Sequence, residues 1–218
     1  MTKQILKRLN KQGFTLVELL VAMAISGVVM AGIYSVYYSQ QKSYVAQEQM
    51  AAMQQNLRAA MYVMEREIRM AGCDPTRKAN AGITAANATS VSFTEDIRGD
   101  AEGSDPDGVT DDPNEAIAYS LDDNDGDGDN DLERNSNLIA ENIDALNFVY
   151  LDEDGNPTAT LSEITSIQVT IVARADRADP GYTDTNAYYN QADLEILSAQ
   201  NDGFRRKRLT TEVKCRNL

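Results

Sequence analysis

The sequence contains no histidine and no tryptophan, and only two of its 218 residues are cysteine. Without histidine, neither a Ser-His-Asp triad nor a histidine-ligated zinc site can be built. The two cysteines, Cys73 and Cys215, lie far apart with no C-x-x-C spacing, which removes the dithiol redox centre as well. Proline is equally sparse. There are five, the first of them Pro75, so nothing in the first third of the chain forbids one continuous helix. Acidic residues are missing before Glu18. Overall, however, 34 Asp and Glu outnumber 20 Lys and Arg, for a net charge of −14. Nucleic acid is not a partner for such a surface.

The start of the chain has the opposite bias. Lys3, Lys7, Arg8 and Lys11 precede an apolar run from Phe14 to Tyr38, 25 residues whose only charge is Glu18. As a helix the run would extend about 37 Å, more than the ~30 Å hydrocarbon core of a bilayer. Positive-inside bias holds residues 1–13 in the cytoplasm and sends the remainder across. In an ordinary secretory signal a small-residue cleavage site follows the apolar core, whereas here the small residue at the junction, Gly13, precedes it. Cutting between Gly13 and Phe14 would discard the basic leader, keep the apolar helix and create a new α-amine on Phe14. Glu18 would lie about 6 Å of helix rise from that amine. A carboxylate at membrane depth costs a few kcal/mol unless paired. The terminal ammonium, of its own chain or of an incoming neighbour, is a natural partner.

Leader charge, Gly13, Phe14, Thr15, Leu16, Val17, Glu18 and Leu19 together resemble the cleavage and methylation site of type IV prepilins. The resemblance implies a prepilin peptidase that cuts after Gly13 and N-methylates Phe14. It further implies that Glu18 helps dock the subunit into a filament of major and minor pilins through an inner-membrane assembly platform. Major pilins of this kind carry a proline in the membrane half of the helix, where this chain has Ser35; Gly27 and Gly32 are weaker helix breakers. The precursor would sit in the bacterial inner membrane as a single-pass protein with its head outside the cytoplasm, then move to the pilus or cell surface.

Beyond Tyr38, Met50, Met53, Leu57, Met61, Met64, Ile68 and Ala71 recur at three and four residues with polar residues between them, the pattern of an amphipathic helix. Gly72 is placed to end it. In the membrane half, Ala22 and Ser26, then Gly27, Ala31 and Ser35, set small residues four apart, which lets helices approach closely. After Gly72 the period becomes strand-like at 89–93, 116–121, 145–151, 164–173 and 208–215, with turn-rich segments between. Four segments follow: a cleaved leader at 1–13, a membrane and filament-core helix at 14–38, an amphipathic stalk at 39–71 and a β-rich head at 72–218. The fold class is α+β, a long helix packed on a small antiparallel head. Residues 176–203 read as a long loop with room for a short helix, and 99–115 as an acidic loop.

The helix end "NLRAAMYVMEREIRMAGCDP" and the tail "RRKRLTTEVKCRNL" resemble the PilW family of minor pilins. That implies a low-copy subunit acting in assembly initiation or at the filament tip. A pseudopilin of type II secretion, similar to GspJ, is the near alternative. A surface binding or adhesion module displayed on a pilin anchor is the alternative of another class.

"DDNDGDGDNDLE", residues 122–133, is the strongest stretch for site chemistry. Asp123, Asp125, Asp127 and Gly128 follow the D-x-D-x-D-G start of a calcium loop, with Asp129, Asp131 and Glu133 as further ligands. Arg134 stands where an EF-hand needs its bidentate glutamate, so the loop is of calcium type without being an EF-hand. The competing reading is a hairpin connector kept open by its own repulsion. "DEDGN" at 152–156 reads as a hairpin turn. Arg98, Gly99 and Asp100 spell RGD on a loop. Arg205, Arg206, Lys207 and Arg208 form a basic cluster whose partners are expected within this acidic molecule or on an acidic neighbour. Cys73 and Cys215 allow one intramolecular disulfide, which export to an oxidising compartment would favour.

Overall fold

In the computed structural model, residues 13–100, 104–123, 126 and 129–218 are described. The chain divides into two compact units, Met1–Gln47 and Glu48–Leu218. A single helix, α1 (Leu16–Met70), supplies the first and opens the second. It runs through Gly27, Gly32 and Ser35 without interruption, so the helix is intact where Ser35 stands in place of proline.

In the first unit the apolar side chains of α1 face outward; Leu16, Val28, Met30 and Ile33 are all exposed. The helix carries an 18-residue window of mean hydropathy 2.3, none of it buried. Such a surface is stable only when lipid or neighbouring helices cover it.

In the second unit the helix becomes a core element. Met53, Leu57, Ala60, Met61, Met64 and Ile68 are buried, Met64 and Ile68 completely, as the three-and-four spacing requires. They face two antiparallel sheets. The first is a five-stranded meander in the order β1 (Ile83–Ala86), β2 (Val91–Thr94), β3 (Ala116–Asp122), β4 (Asp131–Arg134) and β5 (Asn137–Ala140). The second has β7 (Ser166–Arg174) between β6 (Ile143–Leu151) and β10 (Arg206–Lys214). Alternation sets which residues point inward: Val91 and Phe93 from β2, Ile117 and Tyr119 from β3, Ile167, Val169 and Ile171 from β7. A side chain of this size contributes roughly 1.5–3 kcal/mol on burial.

Five strand segments read from the sequence are present, with ends that differ by at most two residues. Segment 176–203 holds a two-stranded pairing, β8 (Tyr188–Tyr189) with β9 (Glu195–Leu197), and no helix. At "DEDGN" the Asp152 Oδ1 accepts from the Asp154 and Asn156 amides, Gly155 takes a φ of +81°, and Pro157 bridges back to Leu151. The turn is formed as its residues imply.

Polar contacts fasten the helix to both sheets. Glu67 Oε2 accepts from Arg134 Nε at 2.8 Å and from the Tyr119 hydroxyl, and Tyr119 and Arg134 are cross-strand partners on β3 and β4. Burial, then the Glu67 carboxylate, pushes the Tyr119 hydroxyl far above its usual pKa. Glu65 Oε1 accepts from the Thr211 hydroxyl on β10 at 2.8 Å. The helix ends at Gly72, φ +77°, whose amide leaves the helix to donate to Thr94 O. The chain's own C-terminus closes that end. Arg216 N donates to Arg69 O and Asn217 Nδ2 to Met70 O, satisfying carbonyls that a helix terminus leaves unpaired.

Candidate functional site

Gly13 and Phe14 precede the first turn of α1 outside any helix or strand, with Phe14 89% exposed. The turn itself is held by a reciprocal pair. Glu18 Oε2 accepts from the Thr15 amide at 2.8 Å and from the Thr15 hydroxyl at 2.9 Å, while Glu18 N donates to Thr15 Oγ1 at 3.3 Å. This is a capping box: an N-cap threonine and a glutamate three residues on satisfy each other's amides. The sequence carried that signal as T-x-x-E, which the membrane-depth argument passed over. Neither residue is removed by a cut between Gly13 and Phe14, so the cap persists in a mature chain. Downstream lies only apolar, outward-facing helix up to Tyr38. The segment therefore presents an accessible Gly–Phe bond, a rigid helix start and a lipid-compatible surface.

The basic cluster acts within the molecule. Arg206, 8% exposed, donates to both carboxylate oxygens of Asp202 at 2.6 and 2.7 Å and to Asp144, with Asp184 at 3.4 Å. Arg205 pairs with Asp179 at 2.8 Å and lies over the Tyr182 ring, and Arg208 donates to Tyr189 O. These bonds tie the 176–205 connection to β10 and β6. Arg206 thus contacts three acids at once, and its bonds with Asp202 hold that carboxyl below its usual range.

The acidic stretch at 122–133 is only partly within the described residues; Asp125 and Asp127 lie outside them. Asp123 Oδ1 accepts from Gly126 N at 3.0 Å. The other expected ligands are committed to the protein. Asp129 forms an ion pair with Arg174, Asp131 Oδ1 accepts from Asn142 N, and Asp131 and Glu133 are buried on β4. Strand pairing with β3 is the physical reason, since it places Asp131 and Glu133 opposite Asp122 and Ser120 instead of curling them toward Asp123. Of the six expected ligands, Asp129 and Asp131 thus bond to other parts of the head.

The two cysteines are free thiols, Cys73 half-buried and Cys215 buried. The expected bridge is not made in this structure. Burial pushes the Cys215 thiol up to about 11; burial and then Glu95, Asp96 and Asp74 raise that of Cys73. Near the same helix end, Glu95 is 6% exposed with Oε2 lacking any hydrogen-bond partner. Burial, then the Glu67 charge, pushes its carboxyl up to about 7.

Against known families, the prokaryotic N-terminal methylation motif matches residues 8–34, and type IV pilus-assembly protein W matches residues 116–217. The chain carries a prepilin methylation motif and a region similar to the PilW family. The first match spans the Gly13–Phe14 junction, the capping box and the outward-facing apolar helix; the second spans β3 through β10. The precursor belongs to the inner membrane and the mature chain to the pilus. Processing by a prepilin peptidase and contact with other pilins are what the motif entails. Among solved structures, a type IV-like pilin from Thermus thermophilus is similar at 16% identity and a TM-score of 0.47, covering 75% of this chain and 96% of that one. No curated protein matches the sequence.

Proposed function

We propose that the chain is a minor pilin that acts in initiating pilus assembly or at the filament tip, as a structural subunit and not an enzyme. The observation that carries this reading is the junction itself: a Gly13–Phe14 bond followed at once by a capped, uninterrupted helix whose apolar surface is fully exposed. Cleavage there releases the leader and leaves a helix ready to bundle. Glu18 has two carboxylate oxygens, and both contacts to Thr15 fall on Oε2. The same group caps its helix and offers negative charge to the methylated ammonium of a neighbouring subunit. The basic leader anchors the precursor until the peptidase acts, and the assembly platform receives the mature chain.

The test is genetic and chemical together. Deleting the gene should reduce surface pili while protein secretion persists. Mass spectrometry of the chain recovered from sheared filaments should find N-methylated Phe14 at the start. Loss of secretion with pili intact would reassign it to a secretion pseudopilus, and an N-terminus that lacks the apolar helix would sink the pilin reading.

A further inference from the structure

A cleft of about 660 Å³ opens where α1 meets the first sheet, lined by Arg66, Glu67 and Met70 of the helix, Glu95 and Ile97 just after β2, and Arg134 of β4. Met70 and Ile97 are each 40% exposed, large apolar side chains that the fold leaves at the surface. Tyr62, Arg66 and Met70 stand four residues apart and so share one face of the helix, and Tyr62 is exposed too. Tyrosine, methionine and arginine are residue types enriched where proteins meet, so this face has the composition of an interface.

Composition alone does not make a site. Glu95 supplies the second observation, because it is the buried member of the lining, at 6% exposure. Among the described residues no donor bonds to its carboxylate, and Oε2 is shut off from solvent as well. Charged groups face it from each element packed around it: Glu67 and Arg66 on α1, Arg134 on β4 and Glu115 just before β3. All four are engaged elsewhere. Arg134 bonds through Nε to Glu67 and through Nη1 to Asn114, Arg66 lies 3.9 Å from Glu67 Oε1, and both Glu115 oxygens accept backbone amides. A buried carboxylate is ordinarily satisfied by a donor or a cation, and this one lines an open cleft with neither.

The geometry also selects the cation. With Oε2 closed off, only Oε1 can meet a group entering from the cleft, so a guanidinium would have no use for its two-pronged fork. A primary ammonium is a point charge that needs one oxygen, and a four-carbon stem behind it can lie against Met70 and Ile97.

We propose that this cleft takes a lysine side chain of a neighbouring pilin subunit, with the ammonium on Glu95 Oε1 and the stem against Met70 and Ile97. The affinity for an alkylammonium follows from the cleft's own residues; the assignment of that lysine to a pilin rests on the minor-pilin reading. In the free subunit Glu95 is a buried acid without a partner, and docking supplies one, so the cleft favours the assembled state. The ammonium binds only the ionised carboxylate, which titrates near 7 while lysine stays charged, so affinity should rise about tenfold from pH 6 to pH 8.

The experiment has two arms. In the first, the full mature chain in detergent micelles is titrated with Nα-acetyl-lysine methylamide at pH 6 and pH 8, with the arginine and norleucine analogues in parallel, and read by calorimetry and thermal unfolding. Saturable binding of the lysine probe is expected, tighter at pH 8 by the factor above, with both analogues at least severalfold weaker. Glu95→Gln should abolish the binding, and a Tm at pH 8 equal to or above that of the parent shows that this variant folds. Ile97→Ser, at an exposed position, should weaken binding and leave its pH dependence in place. No saturable binding, an affinity independent of pH, or equal binding of either analogue would each overturn the site. In the second arm, Glu95→Gln is expressed in place of the parent and sheared filaments are blotted for it. Normal cleavage with at least severalfold lower incorporation is expected. Incorporation at the parent level would refute a subunit lysine as the occupant. Absence of the parent itself from filaments would refute the pilin reading and with it that occupant, while the first arm still decides the chemistry of the cleft.

Discussion

Glu18 combines two roles that one substitution can separate. Glutamine keeps the side-chain acceptor that a capping box needs and removes the charge, whereas alanine removes both. Cleavage should continue in Glu18→Gln and Glu18→Ala alike, because Gly13 and Phe14 are untouched. If the charge docks the neighbouring ammonium, both variants should be processed and then fail to enter pili, read by immunoblot of sheared filaments. Normal incorporation of Glu18→Gln would leave capping as the only role of Glu18. Glu95 makes a pH-dependent prediction. Its folded carboxyl titrates near 7, above the ordinary value of 4.5. Between those two pH values the folded chain binds more protons than the unfolded one. The favourable contribution is therefore complete below about 4.5 and lost as pH rises through 7. Glu95→Gln should stabilise the protein at pH 8, raising Tm by a few degrees, and change little at pH 4. Equal Tm shifts at both values would show that the buried charge is not the cause. Neither the burial of Glu95 nor the satisfaction of Arg206 was visible in sequence, because both depend on residues tens of positions away.

At the scale of elements, the amphipathic half of α1 was legible residue by residue. Its stripe from Met53 to Ala71 is the buried stripe, since a helix with a 3.6-residue repeat can place only that face on the sheets. Strands β2, β3, β6, β7 and β10 were legible too, each having the alternation or apolar run that a half-buried or central strand needs. β1, β4 and β5 were not. They are four residues each, and β4 reads Asp-Leu-Glu-Arg, whose acids are buried by tertiary contacts that periodicity does not record. In the acidic stretch, likewise, Asp131 and Glu133 lie on β4 by strand pairing that their spacing does not record. At the helix end, Gly72 was recognisable as a terminator, but the Leu218 and Asn217 tail packed over it was not. Two substitutions follow. Leu57→Ala leaves a cavity between helix and sheets and should cost about 2–5 kcal/mol by chemical denaturation. Gly72→Ala meets a positive φ and a Cβ 2.5 Å from Leu218 Cδ2 and 3.0 Å from Asn217 O, for a loss of roughly 1–3 kcal/mol. Deleting Leu218 should recover part of the Gly72→Ala loss and none of the Leu57→Ala loss. Identical recovery in both would separate the tail from the cap.

For the molecule as a whole, the cysteines bear on whether pulling along a filament can separate sheet from helix. Cys73 follows directly on the helix end, and Cys215 follows β10, the last strand. Their chain neighbours already touch: Arg216 N donates to Arg69 O, Asn217 Nδ2 donates to Met70 O, and Cys73 O accepts from Asp96 N at 2.7 Å. The thiols are free in the structure and high in pKa, so little thiolate is present to start exchange spontaneously. An enzymatic oxidant outside the cytoplasm removes that kinetic obstacle. Closing so long a span would restrict the unfolded chain by about 5 kcal/mol in the chain-entropy model, an amount real bridges often fall short of. The mechanical effect is larger than the thermodynamic one, because the final strand would be covalently fastened to the helix that carries load into the filament. Protein taken directly from the cell surface should therefore gain two mass units and two alkylatable thiols on reduction under denaturing conditions. It should also resist denaturant better before reduction than after. Two thiols that alkylate without reductant would refute the bridge in the assembled state. The Thr211–Glu65 bond and the tail bonds of Arg216 and Asn217 would then join strand to helix, and replacing the cysteines would leave filament strength unchanged.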